Sequence, residues 1–154
     1  MKAVAVGDKI PLFELTDQSG KKFQLADYVG KKNLVIYFYP KDNTPVCTIQ
    51  AGMFRDKSNE FEKHNALVIG ISSDDTDSHC SFADQHNLSF PILSDTNGAV
   101  RKLLGVPKGL FGLTAGRVTY IVDLKGVVRG MEDSALIAQK HIHYALELVK
   151  ALDK

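Results

Sequence analysis

Two residues in this 154-residue chain have side chains suited to nucleophilic redox chemistry, the cysteines Cys47 and Cys80. They form no C-x-x-C pair, since Thr44 stands where the first cysteine of such a pair would be. Two thiols are also too few for the disulfide framework of a small secreted domain, so any disulfide here is expected to be chemical rather than structural. Cys47 follows Thr44 and Pro45 in the stretch YPKDNTPVCTIQ. Threonine before proline is a helix start, with threonine as N-cap and proline at the first helical position, where its missing N–H costs nothing. Cys47 then falls in the first turn. Free backbone N–H groups and the positive end of the helix dipole favour an anion there, and a thiolate is a nucleophile. The competing use of Cys47 is structural, because a free cysteine also behaves as a small buried hydrophobe.

The elements that must position this thiol follow from the pattern around it. The apolar run Leu34 to Tyr39, closed by Pro40, reads as a buried strand, and a helix is expected from about Pro45 to about His64. ALVIGIS, residues 66–72, reads as a second strand, and the capping-rich DDTDSHCSFADQHN as a second helix. FPILSD reads as an edge-like strand weakened by Pro91, TNGAVRKLLG as a short helix ending at Gly105, and RVTYIVDLKGVVRGM as two strands about a Lys125-Gly126 turn. An amphipathic helix is expected from about Ser134 to Leu152. A βαβ unit followed by a ββα unit predicts an α/β, thioredoxin-like fold: a central mixed β-sheet flanked by helices, one domain over residues 1–154. The glycine-rich GVPKGLFGLTAGR reads as a loop with apolar side chains suited to touching a partner.

Composition narrows the function. With 19 basic and 18 acidic residues, a net charge of +1, the chain has no field to draw in nucleic acid or an anionic membrane, and a small neutral partner suits it better. Its start shows neither a signal peptide nor a membrane span, so a cytoplasmic protein is expected. The glycines match no phosphate-binding fingerprint, and no cofactor is expected. His64, His79, His86, His141 and His143 lack a cysteine set at ligand spacing, and Asp74, Asp75 and Asp77 are read as helix caps. No metal is expected.

The run from Pro40 to Cys47 matches P-x-x-x-T-x-x-C, and FYPKDNTPVCT resembles the bacterioferritin-comigratory, or Q, group of peroxiredoxins. The similarity extends through GDKIPLFELTDQSGKKFQLADYVGKKN, FPILSD and GRVTYIVDLKG, nearly the whole chain. The resemblance implies a peroxidatic Cys47, a Thr44 that hydrogen-bonds the peroxide, a Pro40 that shields the site from water, and an Arg117 that supplies positive charge. Taken alone, an arginine at a strand start reads as a surface residue; the motif changes its reading. Each role makes chemical sense, because thiolate attack on an O–O bond moves negative charge onto the departing oxygen, where donors stabilise it. Gln50 departs from the glutamate frequent in the group.

A sulfenic acid on Cys47 must be resolved by a thiol before more peroxide oxidises it further. The common resolving position, five residues on, is Gly52 here. By similarity to relatives with a resolving cysteine on the following helix, Cys80 takes that role. Helical spacing puts Cys80 and Phe82 about 160° apart, so a core-facing Phe82 leaves Cys80 accessible. A disulfide needs Cβ atoms within about 4 Å, and local unwinding around both cysteines is expected on oxidation. The resemblance implies a peroxide substrate, a thioredoxin-type or other thiol reductant, and a monomer, with a weak dimer as the alternative. The alternatives in function are a one-cysteine peroxidase resolved by an external thiol, a redox-regulated holdase or binding protein, and a thioredoxin-like disulfide exchanger.

Overall fold

In a computed structural model of the chain, residues 3–106, 117–133 and 138–152 are described. The elements run β1 (Glu14–Asp17), β2 (Lys22–Gln24), β3 (Asn33–Phe38), α1 (Pro45–Asp56), α2 (Ser58–Lys63), β4 (Ala66–Ser72), α3 (Thr76–His86), β5 (Ile92–Ser94), α4 (Ala99–Leu104), β6 (Val118–Val122), β7 (Val128–Glu132) and α5 (Ala138–Leu152). The strands form one seven-stranded mixed sheet in the order β2-β1-β5-β4-β3-β6-β7. β3 is its centre: parallel to β4 on one side, antiparallel to β6 on the other, and buried at every residue. A strand covered on both faces can be apolar throughout, which is why Leu34 to Phe38 shows no alternation of polar and apolar residues.

Its side chains nevertheless divide by face. Val35, Tyr37 and Tyr39 join a core with Phe54 of α1, Phe82 of α3 and Ile142 of α5. Leu34, Ile36 and Phe38 face the opposite way, toward Val100 and Leu104 of α4 and Phe13 and Phe23 of the amino-terminal segment. Burying one such large apolar side chain contributes about 1.5–3 kcal/mol, so both faces supply the platform on which the loop after β3 rests.

Two expectations are corrected, and one element is added. β5 is an interior strand, paired with β1 through Thr16 and Ser94 and with β4 through Ile71 and Leu93. Pro91 lies just before it and contributes a carbonyl that accepts from Gly70 N–H, so its missing N–H interrupts no ladder. The edges of the sheet are β2 and β7. The helix expected through His64 breaks at Lys57, where the backbone leaves helical geometry (φ −100°, ψ 4°) and Ser58 Oγ donates to the freed Arg55 carbonyl at 2.8 Å. The β1–β2 hairpin is absent from the sequence reading; its short strands give too little apolar pattern to register. The GVPKGLFGLTAGR loop lies outside the described residues from 107 to 116, as do residues 134–137 at the expected start of the last helix. No helix among the described residues is long and apolar enough to cross a membrane.

Candidate active site

Cys47 begins the inward stripe of α1, the buried set Cys47, Gln50, Ala51 and Phe54. This i, i+3, i+4, i+7 spacing places them on one helix face. Cys47 is therefore only 1 % exposed, whereas Ile49 on the opposite face is 57 % exposed. Thr44 occupies the N-cap position with extended backbone (φ −86°, ψ 154°) and Pro45 opens the helix. The threonine does not cap, contrary to expectation: its Oγ1 donates to the Lys41 carbonyl at 2.9 Å, and no side chain caps the first turn. The first turn's N–H groups, which have no intrahelical acceptor, still face outward from the N-terminal end.

Arg117 reaches this place through sheet register. Phe38, the last residue of β3, pairs with Val118, the first of β6, so the residue before β6 lies beside the exit of β3. α1 starts just beyond that exit. The guanidinium is 5 % exposed, and one terminal nitrogen donates to Cys47 Sγ at 3.1 Å. The other donates to Gln50 Oε1, which fixes the guanidinium plane relative to the sulfur. Gln50 accepts without a carboxylate, and its buried Nε2 has no hydrogen-bond partner among the described residues. The guanidinium and the positive end of the α1 dipole thus meet at the sulfur, an arrangement suited to negative charge passing through the site.

Pro40 is half-buried where the loop leaves β3. Beneath the loop, Tyr37 is fully buried and stacked on Phe54 at 4.6 Å between ring centroids. Burial, and then the negative charge of Cys47 and Asp42, hold its phenol well above the usual tyrosine range.

Cys80 lies elsewhere. It is exposed on α3, on the opposite side from the buried Phe82, in a cleft lined by Gln18 and Ser19 of the β1–β2 turn and by Ala83, Asp84, Asn87 and Leu88. None of these belongs to α1, and both cysteines are free thiols. The structure thus brings Cys47, Arg117 and Gln50 together and leaves Cys80 apart.

A second polar group was not anticipated. Asp42, in the loop ahead of Cys47, is 4 % exposed and accepts from Tyr39 Oη at 2.5 Å and Ser78 Oγ at 2.9 Å. Its Oδ2 lies 2.7 Å from His79 Nδ1, and His79 Nε2 lies 3.0 Å from the Leu93 carbonyl. Asp75 caps α3 as expected, accepting from Ser78 N–H at 2.8 Å, but Asp74 instead accepts from Asp42 N–H at 2.7 Å and Ser72 Oγ at 2.7 Å. Asp42, Asp74 and His79 bring ligand-type atoms within 4.8 Å of one another. Internal donors and acceptors already engage these side chains, so they read as a structural network. The signal available in the sequence was helical spacing, which puts His79 on the same face as Phe82 and Ala83.

Residues 6–131 match the AhpC/TSA family. A chloroplastic peroxiredoxin Q of Populus jackii is 46 % identical over 146 residues, 95 % of this chain and 68 % of the relative. Among solved structures, the peroxidoxin BcpB of Mycobacterium tuberculosis superposes with a TM-score of 0.89 at 33 % identity, covering 97 % of this chain and 98 % of that one. Peroxiredoxin Q of Xanthomonas campestris gives 0.83 at 31 % identity, covering 92 % of each.

Proposed function

Because this chain belongs to the AhpC/TSA family, as a peroxiredoxin of the Q group and hence a peroxidase, we propose that its two cysteines divide the reaction between them. Cys47 is the peroxidatic residue. Its thiolate attacks the terminal oxygen of hydrogen peroxide or an alkyl hydroperoxide; an S–O bond forms, the O–O bond breaks, and the departing oxygen takes a proton to leave as water or an alcohol. Arg117 holds the sulfur and is placed to attract the charge that moves onto the leaving oxygen. Thr44, turned back by its bond to Lys41, orients the peroxide through its hydroxyl, and Pro40 limits the approach of water.

The contact that carries this reading is Arg117 to Cys47 Sγ, since a buried guanidinium donating to a buried sulfur at a helix start has little structural purpose. Burying a charge costs several kcal/mol, a cost that is reasonable where the charge does chemistry.

Cys80 is proposed as the resolving residue: its thiol sulfur attacks the sulfenic sulfur, a disulfide forms and water leaves. A dithiol of the thioredoxin type then reduces the disulfide by exchange, regenerating both thiols. The exposure of Cys80 suits this role, and the separate surroundings of the two sulfurs mean that α3 or the start of α1 must unwind first. We also propose a single domain acting as a monomer in the cytoplasm, a compartment that keeps exchangeable thiols reduced.

Intact mass under denaturing, non-reducing conditions tests the division of labour, with one equivalent of hydrogen peroxide added to wild type and Cys80→Ser. Wild type should lose two hydrogens through a mapped Cys47–Cys80 link, while the variant gains one oxygen on Cys47. Oxygen retained on Cys47 in the wild type would instead show that an external thiol resolves the intermediate.

A further inference from the structure

His79 immediately precedes Cys80 in α3, and its ring is entirely buried. Both ring nitrogens meet oxygen. The Leu93 carbonyl can only accept, so Nε2 must donate to it. The other nitrogen lies 2.7 Å from Asp42 Oδ2, a separation that requires a proton between the two atoms. Asp42 also accepts from Tyr39 Oη and Ser78 Oγ, so one buried carboxyl gathers polar partners from the loop and from α3.

The position of this contact is what gives it a function. Asp42 lies five residues before Cys47 in the loop that feeds α1, and His79 and Ser78 lie directly before Cys80 in α3. Asp74 holds Asp42 N–H from the strand-to-helix turn, and among the described residues the bonds of Asp42 to Ser78 and His79 are the side-chain hydrogen bonds that tie the loop to α3, beside the ring contacts of Tyr39 with His79 and Phe82. Cys47 is buried on the inward face of α1, whereas Cys80 is exposed in a cleft to which α1 contributes no residue, so bringing their sulfurs together requires one or both segments to leave this arrangement.

We propose that the Asp42–His79 pair is the latch that sets the resolution step, holding the peroxide-reducing form closed and opening before Cys80 reaches Cys47. This rests on the reading of Cys80 as the resolving thiol. A contact made only in the closed form stabilises that form alone, so weakening it raises the population of the open form by the same factor. While the open form stays a small minority, such an increase speeds resolution and leaves attack on peroxide nearly untouched. His79 and Asp42 are thus positioning residues that act through the backbone segments they join.

Quenched-flow alkylation with intact-mass detection separates loss of the Cys47 thiol from gain of the disulfide. His79→Gln and Asp42→Asn keep hydrogen-bonding capacity but disturb the 2.7 Å contact between the two side chains, and each should speed disulfide formation by about tenfold. The rate constant with peroxide should stay within about twofold, and the double variant should be no faster than the faster single one. The peroxide concentration at which Cys47 over-oxidises should rise in step. Wild-type resolution rates in variants that keep the peroxide rate constant would overturn the latch while leaving Cys80 as the resolving thiol. Absence of any Cys47–Cys80 disulfide in the wild type would remove the underlying reading and the latch with it. Should the variants not fold, native-state hydrogen exchange of the reduced wild type decides. Amides of residues 41–48 and 76–82 opening with one common free energy support the latch, and independent opening overturns it.

Discussion

Arg117 and Cys47, 70 residues apart in the chain, are joined by a hydrogen bond of 3.1 Å between a guanidinium nitrogen and the thiol sulfur. Gln50 accepts from the same guanidinium, so a single cation is held by the residue three positions after the cysteine and aimed at the cysteine itself. The antiparallel register of β3 and β6 sets this arrangement, since it puts the residue preceding Val118 beside the exit from Phe38.

Replacing the cation tests its part in the chemistry. Arg117→Met should lower the second-order rate constant with hydrogen peroxide by about 10²–10³, the range for losing a preorganised donor at a developing charge. Arg117→Lys should recover part of it, because a lysine supplies charge without the fork that spans Cys47 and Gln50. Gln50→Glu keeps the acceptor and should leave the rate within about threefold, whereas Gln50→Ala frees the guanidinium and should cost about tenfold. Stopped-flow competition for peroxide measures all four; an Arg117→Met rate equal to wild type would leave the cation no catalytic part.

Thr44 separates catalysis from capping. Its hydroxyl donates to the Lys41 carbonyl and does not cap α1, so Thr44→Val should cost only about 1 kcal/mol in urea unfolding, the usual value of one hydrogen bond. Peroxide turnover should fall about a hundredfold with the same change, and Thr44→Ser should retain most of it. Equal fractional losses of stability and activity would mean that the hydroxyl only shapes the loop.

Much of this was legible in the sequence because it is local. The strand from Leu34, the helix start at Thr44-Pro45 and the strand pair around Lys125-Gly126 each carry their signal within a dozen residues, and the α/β, thioredoxin-like reading of their order holds. The accessibility of Cys80 followed from Phe82, whose ring is fully buried while the cysteine is exposed. What escaped depends on distant partners. Nothing near Pro91 reveals that β1 will cover β5, and the pairing of Asp42 with His79 spans 37 residues. Histidine spacing alone does not reveal that His79 is a buried hydrogen-bond partner of Asp42 and of the Leu93 carbonyl, which only the packing of α3 against β5 brings about.

Gly70 is required by packing rather than by backbone freedom. A Cβ added there would lie 2.9 Å from both Cζ and Oη of Tyr37 on the neighbouring strand. β3 and β4 are central strands paired along their length, so neither can give way cheaply. Gly70→Ala should cost about 3 kcal/mol in chemical denaturation, at the upper end of overpacking. Adding Tyr37→Phe should not restore wild-type stability, because the ring carbon remains as close as the hydroxyl was; full restoration would place the clash at the oxygen alone.

Tyr37 and Tyr39 offer the last contrast, for they stack at 5.4 Å and differ in what their hydroxyls meet. Tyr39 donates to Asp42, while the buried Tyr37 hydroxyl has no hydrogen-bond partner among the described residues. Tyr39→Phe should therefore lose about 2 kcal/mol at neutral pH, the value of a hydrogen bond to a charged acceptor, whereas Tyr37→Phe should gain about 1 kcal/mol by removing an unpaired polar group. Both phenols are held well above the ordinary range, chiefly by burial. Folded tyrosine thus keeps a proton that the unfolded chain loses above pH ~10. Their contribution is fully present below that pH and is lost as pH rises toward the folded value, by about 1.4 kcal/mol per pH unit for each ring. Tyr37→Phe should make the alkaline fall in stability shallower by one ring's share, measured by urea unfolding from pH 9 to 11. An unchanged slope would mean that Tyr37 ionises equally in both states, and that its burial carries no electrostatic cost.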